Sequence, residues 1–122
     1  MNVIFKNERV KEKYSVAFIG KWRYYSSKEK EALAALNVLV DNAQSLQDLR
    51  TMPPLHLELL EGKIKNRKRH TGEWSIRVVG TQYRVIFIPC DNENNEMVGG
   101  DILAQATTIK IIKITEVSKH YE

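Results

Sequence analysis

The chain has 122 residues, of which 43% are hydrophobic and 28% charged, and its formal net charge is +4. This length allows one hydrophobic core and is too short for two, and the composition excludes disordered and fibrous proteins. The positive charge indicates an anionic partner.

The sequence contains no run that approaches the roughly 18 apolar residues of a membrane-spanning helix, and its first residues lack an apolar stretch of signal-peptide length. We therefore expect a cytoplasmic protein without a membrane partner. The single cysteine, Cys90, cannot form an internal disulfide. Its position at the end of a strand-like run fits a small packing residue, and a reactive thiol stays open as the alternative.

The first half of the chain predicts a short strand and two helices. The strand is Asn2–Phe5, and Asn7–Ile19 has apolar residues at helical spacing. Ser26 and Glu29 match a capping box, in which a hydroxyl and a carboxylate accept hydrogen bonds from backbone N–H groups at the start of the second helix. The predicted core stripes are Val10, Tyr14, Ala17 and Phe18 in the first helix, and Ala32, Leu33, Leu36, Leu39 and Val40 in the second.

The spacing of apolar residues changes from helical to alternating in the second half. Ser45 and Asp48 give a weaker capping signal for a short helical turn that ends at Pro53-Pro54. Strands are predicted at Leu55–Leu59, Trp74–Val78, Val85–Phe87 and Thr107–Val117, with a long loop at Cys90–Gln105. The expected fold is an α+β domain spanning residues 1–122. Two N-terminal helices pack on one face of a four- or five-stranded antiparallel sheet.

Two arginines are predicted to face each other on the opposite side of this sheet. A turn at Gly80-Thr81 would pair Arg77 with Arg84, at a cost of about 0.2–1 kcal/mol for opposed like charges. A shared phosphate would relieve this repulsion, because each guanidinium can donate two charge-assisted hydrogen bonds. In the alternative register, each arginine pairs with a carboxylate such as Glu58 or Glu73. The outward-facing polar set is expected to be His56, Ser75, Arg77, Arg84 and Lys110.

A basic cluster follows the first of the alternating segments. It is either a contact for RNA phosphates or a solvated, mobile connection between strands. Its members are Lys63, Lys65, Arg67, Lys68, Arg69 and His70. No spacing of His, Cys and carboxylates resembles a zinc site, and no Gly-rich loop resembles a nucleotide site.

Four segments together are typical of one family. They are Leu46-Gln47-Asp48-Leu49, Leu55-His56, the hairpin Gly72-Glu73-Trp74-Ser75-Ile76-Arg77-Val78 with Tyr83-Arg84-Val85-Ile86-Phe87, and a closing strand followed by His and Tyr. From Ser26 to the C-terminus the chain resembles the HigB toxins of the RelE superfamily, which are plasmid-maintenance killer proteins.

The resemblance implies a RelE-like fold and an endoribonuclease that cuts mRNA, usually on the translating ribosome. It also implies a cognate antitoxin encoded beside the toxin, expected here to be a helix-turn-helix protein, and no metal or organic cofactor. In such a reaction the ribose 2′-OH attacks the adjacent phosphate. The site therefore needs a base, an acid and positive charge on the phosphate.

The family pattern assigns these roles to residues of this chain. Arg77 and Arg84 fit the phosphate, and His56 occupies a position where the family commonly has a histidine. His120 and Tyr121 lie in the C-terminal segment that carries further catalytic groups in the family. The family order there is Asp-Tyr-His, whereas this chain has Ser118-Lys119-His120-Tyr121, so the partner of His120 is either Lys119 or Glu116.

The basic cluster lies in a segment that is longer than the family pattern, and its extra cations fit ribosomal RNA. Each histidine, taken alone, is more often structural than catalytic. The alternative function is a module of the same fold that binds RNA or a protein without cleavage. A DNA-binding regulator is disfavoured, because both helices are needed for the core and neither has the exposed basic residues of a recognition helix.

Overall fold

A computed structural model of the protein describes residues 1–19, 25–60, 64–65, 68–69, 72–97 and 101–119. The side chains of residues 16–19, 64–65 and 68–69 lie outside the described part, as do the predicted core positions Ala17 and Phe18. The helices are α1 (Glu8–Ile19), α2 (Ser27–Asn42) and the short α3 (Leu46–Arg50). The strands are β1 (Asn2–Phe5), β2 (Glu58–Leu59), β3 (Ile64–Lys65), β4 (Lys68–Arg69), β5 (Trp74–Arg77), β6 (Tyr83–Cys90) and β7 (Ile111–Lys119).

Five strands form one sheet in the order β1-β7-β6-β5-β2, and β3 and β4 form a separate antiparallel pair. The predicted α+β class is confirmed. The predicted antiparallel arrangement is wrong at one edge, because β1 runs parallel to β7, with Asn2 opposite Ile111 and Phe5 opposite Ile114. The sheet is therefore mixed.

Both long helices begin at side-chain caps. The amide of Val10 donates to Asn7 Oδ1 at the start of α1. The predicted capping box of α2 is confirmed: Glu29 N donates to Ser26 Oγ over 3.1 Å, and Ser26 N donates to Glu29 Oε1 over 2.9 Å. The capping predicted for Ser45 and Asp48 before α3 is only partly present. Asp48 accepts a hydrogen bond from the amide of Gln44, and the Ser45 side chain makes no capping bond.

Helices α1 and α2 cover one side of the sheet, which we call the helix face. Trp74 and Ile76 of β5, and Val78 directly after it, project into this core, where they meet apolar residues of both helices. Alternation along the strand places the intervening residues on the opposite side. The buried helical partners are Val10 and Tyr14 of α1 and Leu33, Leu36 and Val40 of α2.

Two features of α2 and the following segment differ from the sequence prediction. Leu39 is 40% exposed, whereas the polar Asn37 is buried. Asn37 Nδ2 compensates by donating to the carbonyls of Leu33 at 2.8 Å and Tyr14 at 3.2 Å. The predicted strand Leu55–Leu59 shortens to Glu58–Leu59, because a 3-10 turn occupies Pro53–Leu55.

The predicted loop Cys90–Gln105 begins with an ordered turn. Asp91 Oδ1 accepts from the amides of Glu93 and Asn95, and these bonds hold its pKa below the ordinary value. Cys90 is buried, its Sγ donates to the Ile88 carbonyl, and burial raises the pKa of the thiol. These facts favour the packing role for Cys90. The described helices include none that is both long and apolar enough to cross a membrane.

Candidate active site on the arginine face

The side of the sheet opposite the helices carries the candidate site, and we call it the arginine face. Strand register defines it, since directly paired residues project to the same side of a sheet. Glu58 pairs with Ser75, Arg77 with Arg84, and Arg84 with Ser118. These five side chains therefore share one face and come from four adjacent strands.

The two arginines face each other as predicted. The ladder between β5 and β6 places Arg77 opposite Arg84, and Val78 N donates to the Tyr83 carbonyl at its end. The turn itself is longer than the predicted two residues, because Val79 to Gln82 all lie beyond that last bond. Arg77 is exposed, whereas the Arg84 side chain is only 15% exposed.

Local chemistry fixes the turn and hence the register. Gly80 has φ +84°, a left-handed conformation that glycine adopts without a steric cost. Thr81 closes the turn, since its amide and its hydroxyl both contact the Val78 carbonyl, at 3.1 and 2.8 Å. The Thr81 hydroxyl also accepts from the amide of Tyr83 over 3.0 Å. A slip of one residue would break all of these bonds and separate the arginines.

Arg84 is held in place by two neighbours on its own face. Its Nη1 donates to Ser75 Oγ over 3.1 Å and lies 3.5 Å from Glu58 Oε2. Both contacts are made by the same nitrogen, Nη1. The structure thus combines the two alternatives left open by the sequence: the arginines are opposed, and one of them is also paired with Glu58.

His56 joins this group from outside the strand. Its Nε2 lies 3.7 Å from Glu58 Oε2, and its side chain is 57% exposed. The backbone of His56 has φ 47°, in the left-handed region where non-glycine residues are uncommon and strained. An exposed imidazole is therefore placed beside the carboxylate that contacts Arg84.

Farther from the hairpin turn, the arginine face is buried rather than open. Ser75 and Ile86 are fully buried, in contrast to the sequence expectation that Ser75 faces outward. A register shift between Ile86 and Phe87 leaves Thr115 as an extra residue in β7. The Thr115 hydroxyl lies 2.7 Å from Oε2 of Glu73, a carboxylate that is itself buried. The polar site is thus confined to the end of the sheet nearest the hairpin turn.

Two predicted residues lie away from the arginines. Lys110 was expected on the outward face, and this is wrong, because it lies near Asp41 and Gln44 at the end of α2. Lys119 pairs with Tyr83, so it projects to the helix face, with its Nζ 5.7 Å from the Tyr83 ring centre.

Several other predicted site residues lie outside the described part of the chain. These are His120 and Tyr121 in the proposed catalytic set, and Lys63, Arg67 and His70 in the basic cluster. The backbones of Lys65, Lys68 and Arg69 are described, and they pair in the β3–β4 hairpin with Lys65 opposite Lys68. Within residues 1–119, less the gaps given above, no group of three or more His, Cys, Asp or Glu side chains could hold a metal ion.

The sequence did not predict a basic groove that lies at the end of β7. Arg9 and Lys13 of α1 line it together with Lys119, and Lys13 Nζ donates to the Val117 carbonyl over 2.9 Å. Burial lowers the pKa of Lys13, Glu116 partly offsets this effect, and Arg9 adds to it. Basic residues spaced four apart on a predicted helix were the available signal, but their sequence spacing does not show which strand they approach.

The fold and this site define a small α+β protein with two arginines opposed on one face of its sheet. The family described as RelE-like toxin of type II toxin-antitoxin system HigB matches residues 4–100. The chain belongs to this HigB-like family, and the predicted resemblance is confirmed. As a type II toxin it has a cognate antitoxin as its partner. A comparison with curated proteins gives no match.

Proposed function

We propose that the protein is an endoribonuclease that cleaves mRNA, on the translating ribosome, with the arginine face as its active site. The observation that carries this proposal is the register that places Arg77 opposite Arg84 at an exposed end of the sheet. A type II toxin with an opposed pair of guanidinium groups has a suitable site for a phosphodiester.

The reaction assigned to this site is attack by the ribose 2′-oxygen on the adjacent phosphorus. A bond forms between the 2′-oxygen and phosphorus, and the bond from phosphorus to the 5′-oxygen breaks. The products are a 2′,3′-cyclic phosphate and a 5′-hydroxyl. Charge increases on the phosphate oxygens in the transition state, and fixed cations stabilise it most strongly at that stage.

The proposed roles follow from position and proton chemistry. Arg84, held by Ser75 and Glu58, keeps a fixed orientation, whereas the exposed Arg77 can move onto the bound phosphate. His56 presents an exposed imidazole beside Glu58, and an imidazole can both accept and donate a proton. We assign the 2′-OH or 5′-oxygen proton transfers to His56, His120 and Tyr121, with Lys119 as an additional cation.

The C-terminal assignments are supported by strand pairing. Ser118 lies opposite Arg84, so the segment with His120 and Tyr121 continues from a residue adjacent to the arginine pair. Catalysis by these groups needs no metal or organic cofactor. The basic cluster at residues 63–70 is proposed to bind ribosomal RNA phosphates, and the antitoxin is proposed to be a helix-turn-helix protein.

Cleavage by purified protein on translating ribosomes tests the proposal. Wild-type protein should yield transcripts that end in a 2′,3′-cyclic phosphate, mapped by primer extension and by the chemistry of the 3′ ends. Arg77→Ala should reduce the cleavage rate about 100- to 1,000-fold, the usual cost of losing one transition-state donor. Lys110→Ala is the matched control, because it removes an exposed cation at the other end of β7.

The same assay separates catalysis from binding alone. Intact transcripts at high protein concentration, together with stalled ribosomes, would assign the protein to the non-cleaving alternative. Equal cleavage by wild type and Arg77→Ala would remove the arginine pair from the active site. His56→Ala and His120→Ala, measured over a range of pH, show which histidine carries the proton.

A further inference from the structure

The basic groove lies at the end of β7 and is lined by residues of α1, β6 and β7. Its lining includes Arg9, Lys13, Lys119 and Tyr83, and its volume is about 310 Å³. Glu116 is the one acidic residue in this lining, which leaves a formal charge of +2. The sequence alone predicted no role for Arg9 or Lys13, the two groove residues of α1.

The groove and the arginine pair meet at the same end of the sheet. Ser118 lines the groove, and the same residue lies opposite Arg84 on the arginine face. Adjacent strands are about 4.8 Å apart, so the groove begins roughly one strand from Arg84. A polyanion that crosses the end of β6 and β7 can therefore contact both sets of cations.

One of the groove cations, Lys13, is held in place by a backbone carbonyl. The bond from Lys13 Nζ to the Val117 carbonyl keeps this ammonium against the edge of β7. Arg9 is exposed one helical turn earlier. Burial is the main cause that lowers the pKa of Lys13, Glu116 partly offsets it, and the charge of Arg9 lowers it further. Crowded cations of this kind are stabilised by an anion between them.

The groove also contains an aromatic ring. Tyr83 is partly exposed, and its ring lies edge-on to Tyr25 with centres 4.9 Å apart. A tyrosine phenol is neutral at physiological pH, and burial moves the pKa of Tyr83 further upward. Cations beside a neutral aromatic ring match single-stranded RNA, which offers phosphates and bases in alternation.

We propose that this groove is a second phosphate subsite, in which Arg9 and Lys13 bind the RNA backbone next to the scissile phosphate held by Arg77 and Arg84. This inference rests on the proposed ribonuclease function and extends it to residues of α1. It predicts that a dinucleotide, which has one phosphate, uses only the arginine pair. A longer RNA uses both.

Fluorescence anisotropy with 2′-O-methyl oligoribonucleotides tests this subsite, because these RNAs lack the attacking hydroxyl and stay intact. The affinity of full-length protein for a dinucleotide and for a longer strand is measured between about 50 and 200 mM salt. For the longer strand, Arg9→Gln should lower the slope of log affinity against log salt by about 0.7, the value for one lost phosphate contact. The dinucleotide should bind wild type and variant equally.

Lys11→Gln is the matched control, because Lys11 is an exposed cation on the same helix and is not in the groove lining. Lys13→Gln is the second variant, with thermal unfolding measured to confirm that it folds. It should lower the same slope by a similar amount.

Three results would overturn the subsite. In the first, the slope of log affinity against log salt is equal for wild type, Arg9→Gln and Lys11→Gln, while Arg77→Ala abolishes binding. This result would show that the groove does not bind RNA, and it would leave the proposed function intact. An unchanged RNA slope combined with weaker antitoxin binding by Arg9→Gln would assign the groove to the protein partner. A wild-type protein that binds neither RNA would overturn the RNA function and the subsite together.

Discussion

The two faces of the central sheet are built from alternating residues of the same strands, yet one face is apolar and the other carries polar and charged groups. On the helix face, Ile76 and Phe87 belong to one continuous apolar core. On the arginine face, Arg77 and Ser75 alternate with them, and buried and exposed polar groups lie side by side. Substitutions on the helix face should therefore change mainly the stability of the protein, and substitutions of exposed residues on the arginine face should change mainly its activity.

The largest expected effect comes from truncation of the helix face. Phe87 is fully buried in the core, so Phe87→Ala should lower the free energy of unfolding by about 3–5 kcal/mol through lost burial and a residual cavity. Chemical denaturation followed by circular dichroism measures this loss. A loss below about 1 kcal/mol would show that the helix face does not dominate stability.

The next effect tests the buried polar part of the arginine face. Thr115→Val removes the hydroxyl that contacts Glu73 Oε2 at 2.7 Å and leaves a buried carboxylate with one fewer donor. The expected destabilisation is about 1–3 kcal/mol, measured by the same denaturation. Thr107→Val, at an exposed position, is the control and should change stability little. Equal stability of both variants would contradict a structural role for the Glu73 contact.

A smaller effect, of opposite sign, is expected at a tyrosine of the helix face. The Tyr14 hydroxyl is buried, and among the described residues it has no hydrogen-bond partner. Burial, assisted by Asp41, raises the pKa of Tyr14. The unfolded chain ionises near pH 10 while the folded chain stays protonated, so stability is complete below that pH and decreases above it.

Tyr14→Phe removes both the unsatisfied hydroxyl and this titration. We expect stability at pH 7 to be unchanged or raised by about 1 kcal/mol. The loss of stability between pH 10 and 11 should be smaller than in wild type. Tyr25→Phe is the comparison, because the Tyr25 hydroxyl contacts the Lys13 carbonyl at 3.4 Å. A steeper alkaline loss in Tyr14→Phe would refute the explanation by burial.

The smallest stability effect should accompany the largest functional one. Arg77 is exposed, so Arg77→Ala should change the free energy of unfolding by less than about 0.5 kcal/mol. Thermal unfolding of Arg77→Ala and Phe87→Ala tests whether the helix face contributes more to stability than the exposed part of the arginine face. Marked destabilisation would mean that Arg77 serves the fold as well as the site.

Local signals in the sequence predicted much of this architecture. The capping residues Ser26 and Glu29 predicted the start of α2 correctly because they interact with their own helix. The hairpin residues predicted the opposition of Arg77 and Arg84, since strand pairing across a short turn depends on nearby residues alone. The family resemblance supplied the class of toxin.

Features that depend on distant contacts were not predictable in the same way. The parallel pairing of Asn2 with Ile111 joins segments from opposite ends of the chain, and no local pattern specifies it. Asn37 is buried because carbonyls of two helices accept its hydrogen bonds, one of them across the α1–α2 contact. The groove at Arg9 and Lys13 exists only after α1 packs against β7.

The position of β7 also sets the order in which the molecule can fold. Among the described strands it is the last in sequence, yet it lies between β1 and β6 and pairs with both. During synthesis, β1 and β6 emerge without their shared neighbour, and the sheet closes only after Ile111–Lys119 are available. Ser118, opposite Arg84, arrives in that same step, so a nascent chain remains incomplete at its proposed catalytic end until translation of β7 is finished.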